Sequence, residues 1–97
     1  MRRLLFSRAA EQDLLDLWEY IAQDNPVAAD VVVAEVEAVL QRLREQPSAG
    51  HRRPDLTAAD VRFWTVRRYL LVYPFDERKL QVVRILSGYR DIESLLL

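Results

Sequence analysis

Cysteine is absent from this 97-residue chain, which excludes disulfides, thiolate metal sites and cysteine nucleophiles. Histidine occurs once, at His51, too few for a conventional zinc site or a Ser-His-Asp triad. No bracketing loop or histidine accompanies the acidic residues, so neither a metal nor a cofactor is expected. Apolar runs approaching the ~20 residues of a membrane span are missing too. Leu4-Leu5-Phe6 behind Arg2-Arg3 is too short for a signal peptide, and a soluble cytoplasmic protein is expected. What is present suits a globular domain: 51% of residues are hydrophobic and 30% charged, enough apolar material to bury a core. A second core would need roughly 50–100 further residues, so the expectation is one domain over 1–97.

The net charge of −1 conceals an asymmetry. Residues 1–46 hold five arginines against nine carboxylates, a balance of −4; residues 47–97 hold nine basic against six acidic groups, a balance of +3. Lysine is nearly absent, Lys79 standing beside thirteen arginines. Arginine suits bidentate contact with carboxylate or phosphate better than lysine does. The basic second half therefore keeps a nucleic-acid or acidic partner in view.

Two different periods divide the chain. Arg3-Leu4-Leu5-Phe6 reads as a strand, and Ser7 can cap a following helix by accepting from an unpaired N–H. Ala10, Leu14, Leu17, Trp18 and Ile21 recur at steps of three and four, with Glu11, Asp13, Asp16 and Glu19 on the opposite face. Asn25-Pro26 punctuates the pattern as cap and first-turn proline. A second helix is predicted over 27–45, with Val32, Val36, Val39, Leu40 and Leu43 inward. Its Val31-Val32-Val33 run has poor helix propensity, which burial must offset. Two helices joined so closely pack as an antiparallel hairpin.

Residues 47–60 read as a loop broken by Pro47, Gly50 and Pro54. Strands are then predicted over 61–66, 69–75 and 80–87, linked tightly enough to form an antiparallel meander. Arg67-Arg68 lacks the glycine or asparagine that a two-residue hairpin favours, so local strain or a longer loop is expected there. A last short helix or docked tail is expected over 89–97. The class is α+β, in the order β-α-α-β-β-β-(α), with the helical hairpin on one face of a mainly antiparallel sheet.

Candidate contact residues concentrate in the strands. Arg62, Trp64 and Val66 alternate onto one face, and Arg84 falls with Val82 and Leu86. Arginines beside an aromatic can hold phosphates and stack bases, or they can form an ordinary solvated sheet face. Trp64 fits either a surface platform or a packed position, whereas Trp18 falls in the core stripe. His51 reads as an exposed loop histidine with no orienting partner rather than a general base. The hairpin offers a groove for an amphipathic partner, with Leu15, Trp18, Val33, Val36 and Leu40 as candidates. Leu15 and Val33 fall off the main stripes and are the better placed of these.

Larger motifs then emerge. Arg53-Pro54-Asp55-Leu56, Val61-Arg62 and Tyr69-Leu70-Leu71-Val72-Tyr73, with the closing Arg84-Ile85-Leu86-Ser87-Gly88-Tyr89-Arg90-Asp91, resemble the ParE branch of the RelE/ParE toxin family. Ser7-x-x-Ala10, Asp13-Leu14 and Tyr20-Ile21 extend the resemblance over nearly the whole chain. It implies a toxin of a type II toxin–antitoxin pair, neutralised by a ParD-like antitoxin in a hetero-oligomer. ParE-type toxins poison DNA gyrase by binding, whereas RelE-type toxins cut mRNA on the ribosome. RelE-like enzymes carry an arginine after the third-strand tyrosine and a tyrosine near the C-terminus; Leu70 and Leu96 occupy those places here. Arg90 aligns with another cationic catalytic position, but one arginine cannot serve as acid, base and charge stabiliser together.

The resemblance therefore implies a non-catalytic gyrase inhibitor, with mRNA cleavage or an inactive antitoxin-binding relative as alternatives. Arg62, Trp64, Arg84, Tyr89 and Arg90 are the expected target contacts, although Arg90 could instead pair with Asp91 or Glu93. Ser87 and Tyr89 depart from the family's usual histidine and small residue. DNA is expected to be met directly only through the antitoxin complex.

Overall fold

The computed structural model describes residues 1–88, and the predicted terminal helix, Tyr89, Arg90 and Leu96 lie outside them. Strand β1 (Arg3–Phe6) leads into helices α1 (Arg8–Ala22) and α2 (Pro26–Glu45). A 3-10 turn at Pro47–Ala49 and a loop follow, then β2 (Arg62–Val66), β3 (Tyr69–Tyr73), β4 (Lys79–Val82) and β5 (Arg84–Ser87). Both helix caps form as the sequence predicts. The Ser7 hydroxyl accepts from Ala10 N at 3.0 Å, and the Asn25 side chain accepts from Ala28 N at 3.1 Å. Pro26 fills the first turn of α2, where its missing N–H has no intrahelical partner to lose.

The helices form a hairpin whose inner faces meet one side of the strands. Leu17, Val32, Val36, Leu40 and Leu43 pack with Val66, Leu71, Val82 and Ile85 in the larger core. The valine run divides accordingly: Val32 is buried, Val33 packs at the margin of that core, and Val31 stays exposed. Trp18 departs from its expected core position. It is half-buried, and its indole N–H donates to Asp30 Oδ1 at 2.8 Å, tying α1 to α2.

The single strand expected over 80–87 is two strands. β4 pairs in parallel with β1, while β5 pairs antiparallel with β3, which also pairs antiparallel with β2. The break at Val83 shifts the alternation by one residue. Val82 and Ile85 face the helices, whereas Val83 and Leu86 pack on the other side. Val82 and Leu86 therefore do not share a face with Arg84 between them. The cause lies in the neighbour that β4 leaves behind. β1 stops at Phe6, Ser7 N donates to Val82 O at 2.9 Å, and Ser7 Oγ donates to Val83 O at 2.8 Å. One serine thus caps α1 and ends the parallel pairing.

The sheet's second face is also covered. Phe63, Leu70, Val72 and Leu86 form a smaller core, closed by Leu56 and Val61 from the loop and by Val83. His51 anchors that loop to β2, exchanging backbone bonds with Phe63 at 2.9 and 2.8 Å. Thr57 is buried within it and accepts from Ala59 N at 3.1 Å.

The Arg67-Arg68 connection shows the expected strain: Arg67 has φ of 55°, and is the one non-glycine residue with positive φ among those described. Its side chain offsets the cost by a bidentate bond to Glu35 of α2, at 2.6 and 2.7 Å. That hydrogen bond holds the Glu35 carboxyl below the usual glutamate range. Because the folded value is depressed, the pair's contribution is present above the unfolded pKa and is lost as pH falls through the folded one. Urea titrations should therefore separate wild type from Glu35→Gln near neutrality and merge them in acid. Arg67→Gly, which relieves the backbone while deleting the pair, should raise the denaturation midpoint more in the Glu35→Gln background than in wild type. Equal shifts in the two backgrounds would show that the pair does not hold the turn.

Candidate binding site

Two polar places interrupt the packed surfaces. The first is the outer edge of β5, where α1 supplies what a neighbouring strand would otherwise give. Asp13 accepts from Arg84 Nε at 2.7 Å and Nη2 at 2.9 Å, and its Oδ2 also accepts from Ile85 N at 2.9 Å. The two side chains are 13% and 23% exposed, so this pair is shielded where the other ion pairs are open to water. The Asp13 hydrogen bond raises the Arg84 pKa above the ordinary arginine value. Asp13 is thus not part of a solvated acidic face. A residue between Ala10 and Leu14 lies at the border of the apolar stripe, and that border position was its signal in the sequence. Beside the pair opens a cavity of about 560 Å³ that Asp16, Tyr20, Arg68 and Ser87 also line.

The second place is the start of β2. Arg62 is half-buried, its Nη1 donates to Gly50 O at 3.0 Å, and its guanidinium lies 5.6 Å from the Phe75 ring centroid. Gly50 is required here by close approach. A Cβ at that position would stand 2.1 Å from the Tyr73 hydroxyl oxygen. That hydroxyl donates to Pro47 O at 2.7 Å, and burial raises its pKa against the lowering influence of Gly50 and Arg62. Trp64, two residues along β2, stacks on His51 with ring centroids 6.1 Å apart and planes 7° from parallel. His51 is exposed as expected, but it does have an orienting partner. The sequence reading passed over Phe75, Tyr73 and Gly50 because no local spacing links them; the fold alone brings them to Arg62.

The expected contact residues are therefore dispersed. Arg62 and Trp64 share one strand, on the face that meets the helices, and Trp64 packs against the larger core. Arg84 is engaged by Asp13. On the helical hairpin, Leu15 is exposed, and Trp18 and Val33 are half-buried. Val36 and Leu40 are fully buried under the sheet, so a partner cannot reach them on the folded surface. Tyr20, Val27 and Val31 are exposed apolar residues that the sequence reading did not single out.

The sequence profile described as "ParE toxin of type II toxin-antitoxin system, parDE" matches residues 4–92. This chain belongs to the ParE toxin family. Among solved structures, the fold is similar to that of a chain described as "Chromosomal ParDE TA system from P. aeruginosa", with a TM-score of 0.75 and 22% identity. The match covers 91% of this chain and 97% of that one. A search of curated proteins finds no match. The ParE assignment agrees with the α+β architecture, two helices on a three-stranded antiparallel sheet. No helix among the described residues is long and apolar enough to cross a membrane.

Three substitutions test this geometry. Asp13→Ala removes the carboxylate that accepts from Arg84 and from Ile85 N, and should cost about 3 kcal/mol in urea unfolding. Asp13→Asn keeps an acceptor and should cost less; equal losses would show that the neutral acceptor recovers nothing and that the carboxylate charge carries the contribution. Gly50→Ala should destabilise by about 1–3 kcal/mol through displacement of the Tyr73 ring. An unchanged midpoint would mean that the ring moves without cost.

Proposed function

We propose that this ParE-family chain disables DNA gyrase by binding it, without covalent chemistry of its own, and is neutralised by a cognate antitoxin. One observation carries the choice between binding and cleavage. Leu70 stands where the resemblance places an arginine in mRNA-cleaving relatives, and it is only 2% exposed. It lies with Phe63, Val72 and Leu86 beneath Leu56 and Val61. A ribonuclease needs exposed cations there to stabilise charge on the scissile phosphate; a sealed apolar face supplies none. Contact with gyrase falls to the basic second half, with Arg62, Trp64 and Arg84 as the expected contacts within the described residues, Arg84 being held by Asp13.

The antitoxin reading rests on family membership and on the apolar residues that the helices leave outside the core. Leu15 and Val31 are about half exposed, and Trp18 and Val33 are partly accessible. Apolar anchors from an antitoxin segment would cover these, and acidic groups would suit the arginines of the strands.

Purified full-length protein assayed in parallel for gyrase supercoiling and for cleavage of ribosome-bound mRNA separates the readings. Loss of supercoiling with intact message is expected, and added antitoxin should restore supercoiling. Cut message with normal supercoiling would overturn the proposal in favour of a RelE-like ribonuclease. Neither effect would leave an inactive antitoxin-binding protein.

A further inference from the structure

The arginines fall into two groups by what they meet. Arg52, Arg53, Arg67 and Arg84 each face a carboxylate. Arg2 and Arg62 do not. Arg2 donates from Nε to Asp76 O at 2.7 Å and from Nη1 to Arg44 O at 3.5 Å, and its guanidinium lies 5.8 Å from the Phe75 centroid. Arg62 approaches the same ring at 5.6 Å and gives only Nη1 to a protein acceptor. Its Nε–Nη2 edge, the edge that grips oxyanions in bidentate fashion, meets no acceptor among the described residues. A third arginine adjoins them: the buried Nε of Arg44 has no hydrogen-bond partner.

Of these cations Arg62 lines a cavity of about 210 Å³, with Asp60, Tyr73, Pro74 and Phe75, while Arg2 reaches the same Phe75 ring from outside that lining. The nearby carboxylates do not neutralise it. Asp60 is exposed and paired with Arg52 at 3.3 Å, and Asp76 accepts from the backbone of Arg78 and Lys79 at 2.8 and 2.9 Å. Guanidinium groups fixed by carbonyls and an aromatic ring are oriented before any ligand arrives, yet they keep their full charge. A carboxylate has two oxygens, which one arginine edge satisfies. A phosphate carries more oxygens, enough for the Arg62 edge and for a second cation held to the same Phe75 ring.

We propose that Arg62 at this cavity, with Arg2 held to the same Phe75 ring, binds a phosphate group, either free or in the backbone of a DNA strand. The site deepens the assignment of Arg62 to target contact, and it goes beyond the expectation that DNA is met only through the antitoxin complex. The assignment of gyrase as target can fail separately.

The test uses the full-length protein. Backbone amide NMR signals at positions 62, 73 and 75, which every variant retains, are followed as inorganic phosphate is added, with chloride at matched ionic strength as control. A saturable shift at Arg62, abolished by Arg62→Gln and weakened by Arg62→Lys and Arg2→Gln, is expected. Arg62→Lys keeps the charge and guards against loss of folding, which the dispersion of the amide spectrum reports. In a second arm, fluorescence anisotropy measures binding of a short DNA oligonucleotide across a salt series. A backbone ligand predicts about tenfold weaker binding and a shallower salt slope in Arg62→Gln. Phosphate binding without DNA binding assigns the site to a free phosphate. Shifts that match the chloride control, or persist unchanged in Arg62→Gln, overturn the proposal. Gyrase inhibition that survives such a failure would leave the gyrase reading intact. Phosphate binding without gyrase inhibition would remove gyrase alone.

Discussion

The Asp13 carboxylate sets how the two halves of this ParE-family chain fit together. It lies on the first helix, yet its bonds reach the last described strand, where it engages the Arg84 side chain and the Ile85 amide at once. An edge strand exposes a row of unpaired backbone groups, a standing invitation to pair with another chain. Here Ser7 and Asp13 occupy successive positions along that edge, at Val82, Val83 and Ile85. A helix thereby docks beside a strand with polar bonds as well as apolar packing, and the hairpin cannot slide along the sheet without breaking them.

That fixed registration makes the slip at Val83 useful. The strand changes partner from β1 to β3 and shifts its alternation by one residue, so Ile85 returns to the helix side with Val82 while Leu86 joins Val83 on the other side. The helices fill the first side and the 51–61 loop fills the second. The polar groups that remain accessible lie at the sheet's edges and ends, which is where a binding protein would use them.

Much of this was legible in the sequence because it depends on local periods. The helix caps at Ser7 and Asn25, the inner faces of both helices and the strained Arg67 turn each follow from a few neighbouring residues. Long-range events were not legible. An unbroken run over 80–87 gives no hint that two different partners will divide it, and Leu56 and Val61 give no sign that they cover a sheet face. Asp13 looked like one of several solvated acids because an alternation rule sees the helix but not the strand end facing it. Leu40 and Val36 looked available to a partner for the same reason: nothing local separates an inner stripe that meets a sheet from one that meets another protein. Tyr89 and Arg90 lie beyond the described residues.

The surplus of arginine also becomes intelligible once each guanidinium is sorted by its acceptor. Where the acceptor is a carboxylate, the charge is spent on joining parts of the fold: Arg84 joins strand to helix, and Arg67 joins turn to helix. Where the acceptor is a carbonyl, as for Arg2 and Arg62, geometry is fixed but charge is not neutralised. Holding a cation in place without a counter-ion costs solvation that folding alone does not return. The retained charge is accounted for by a partner that brings the negative group with it, and the open Nε–Nη2 edge of Arg62 marks where that group would sit.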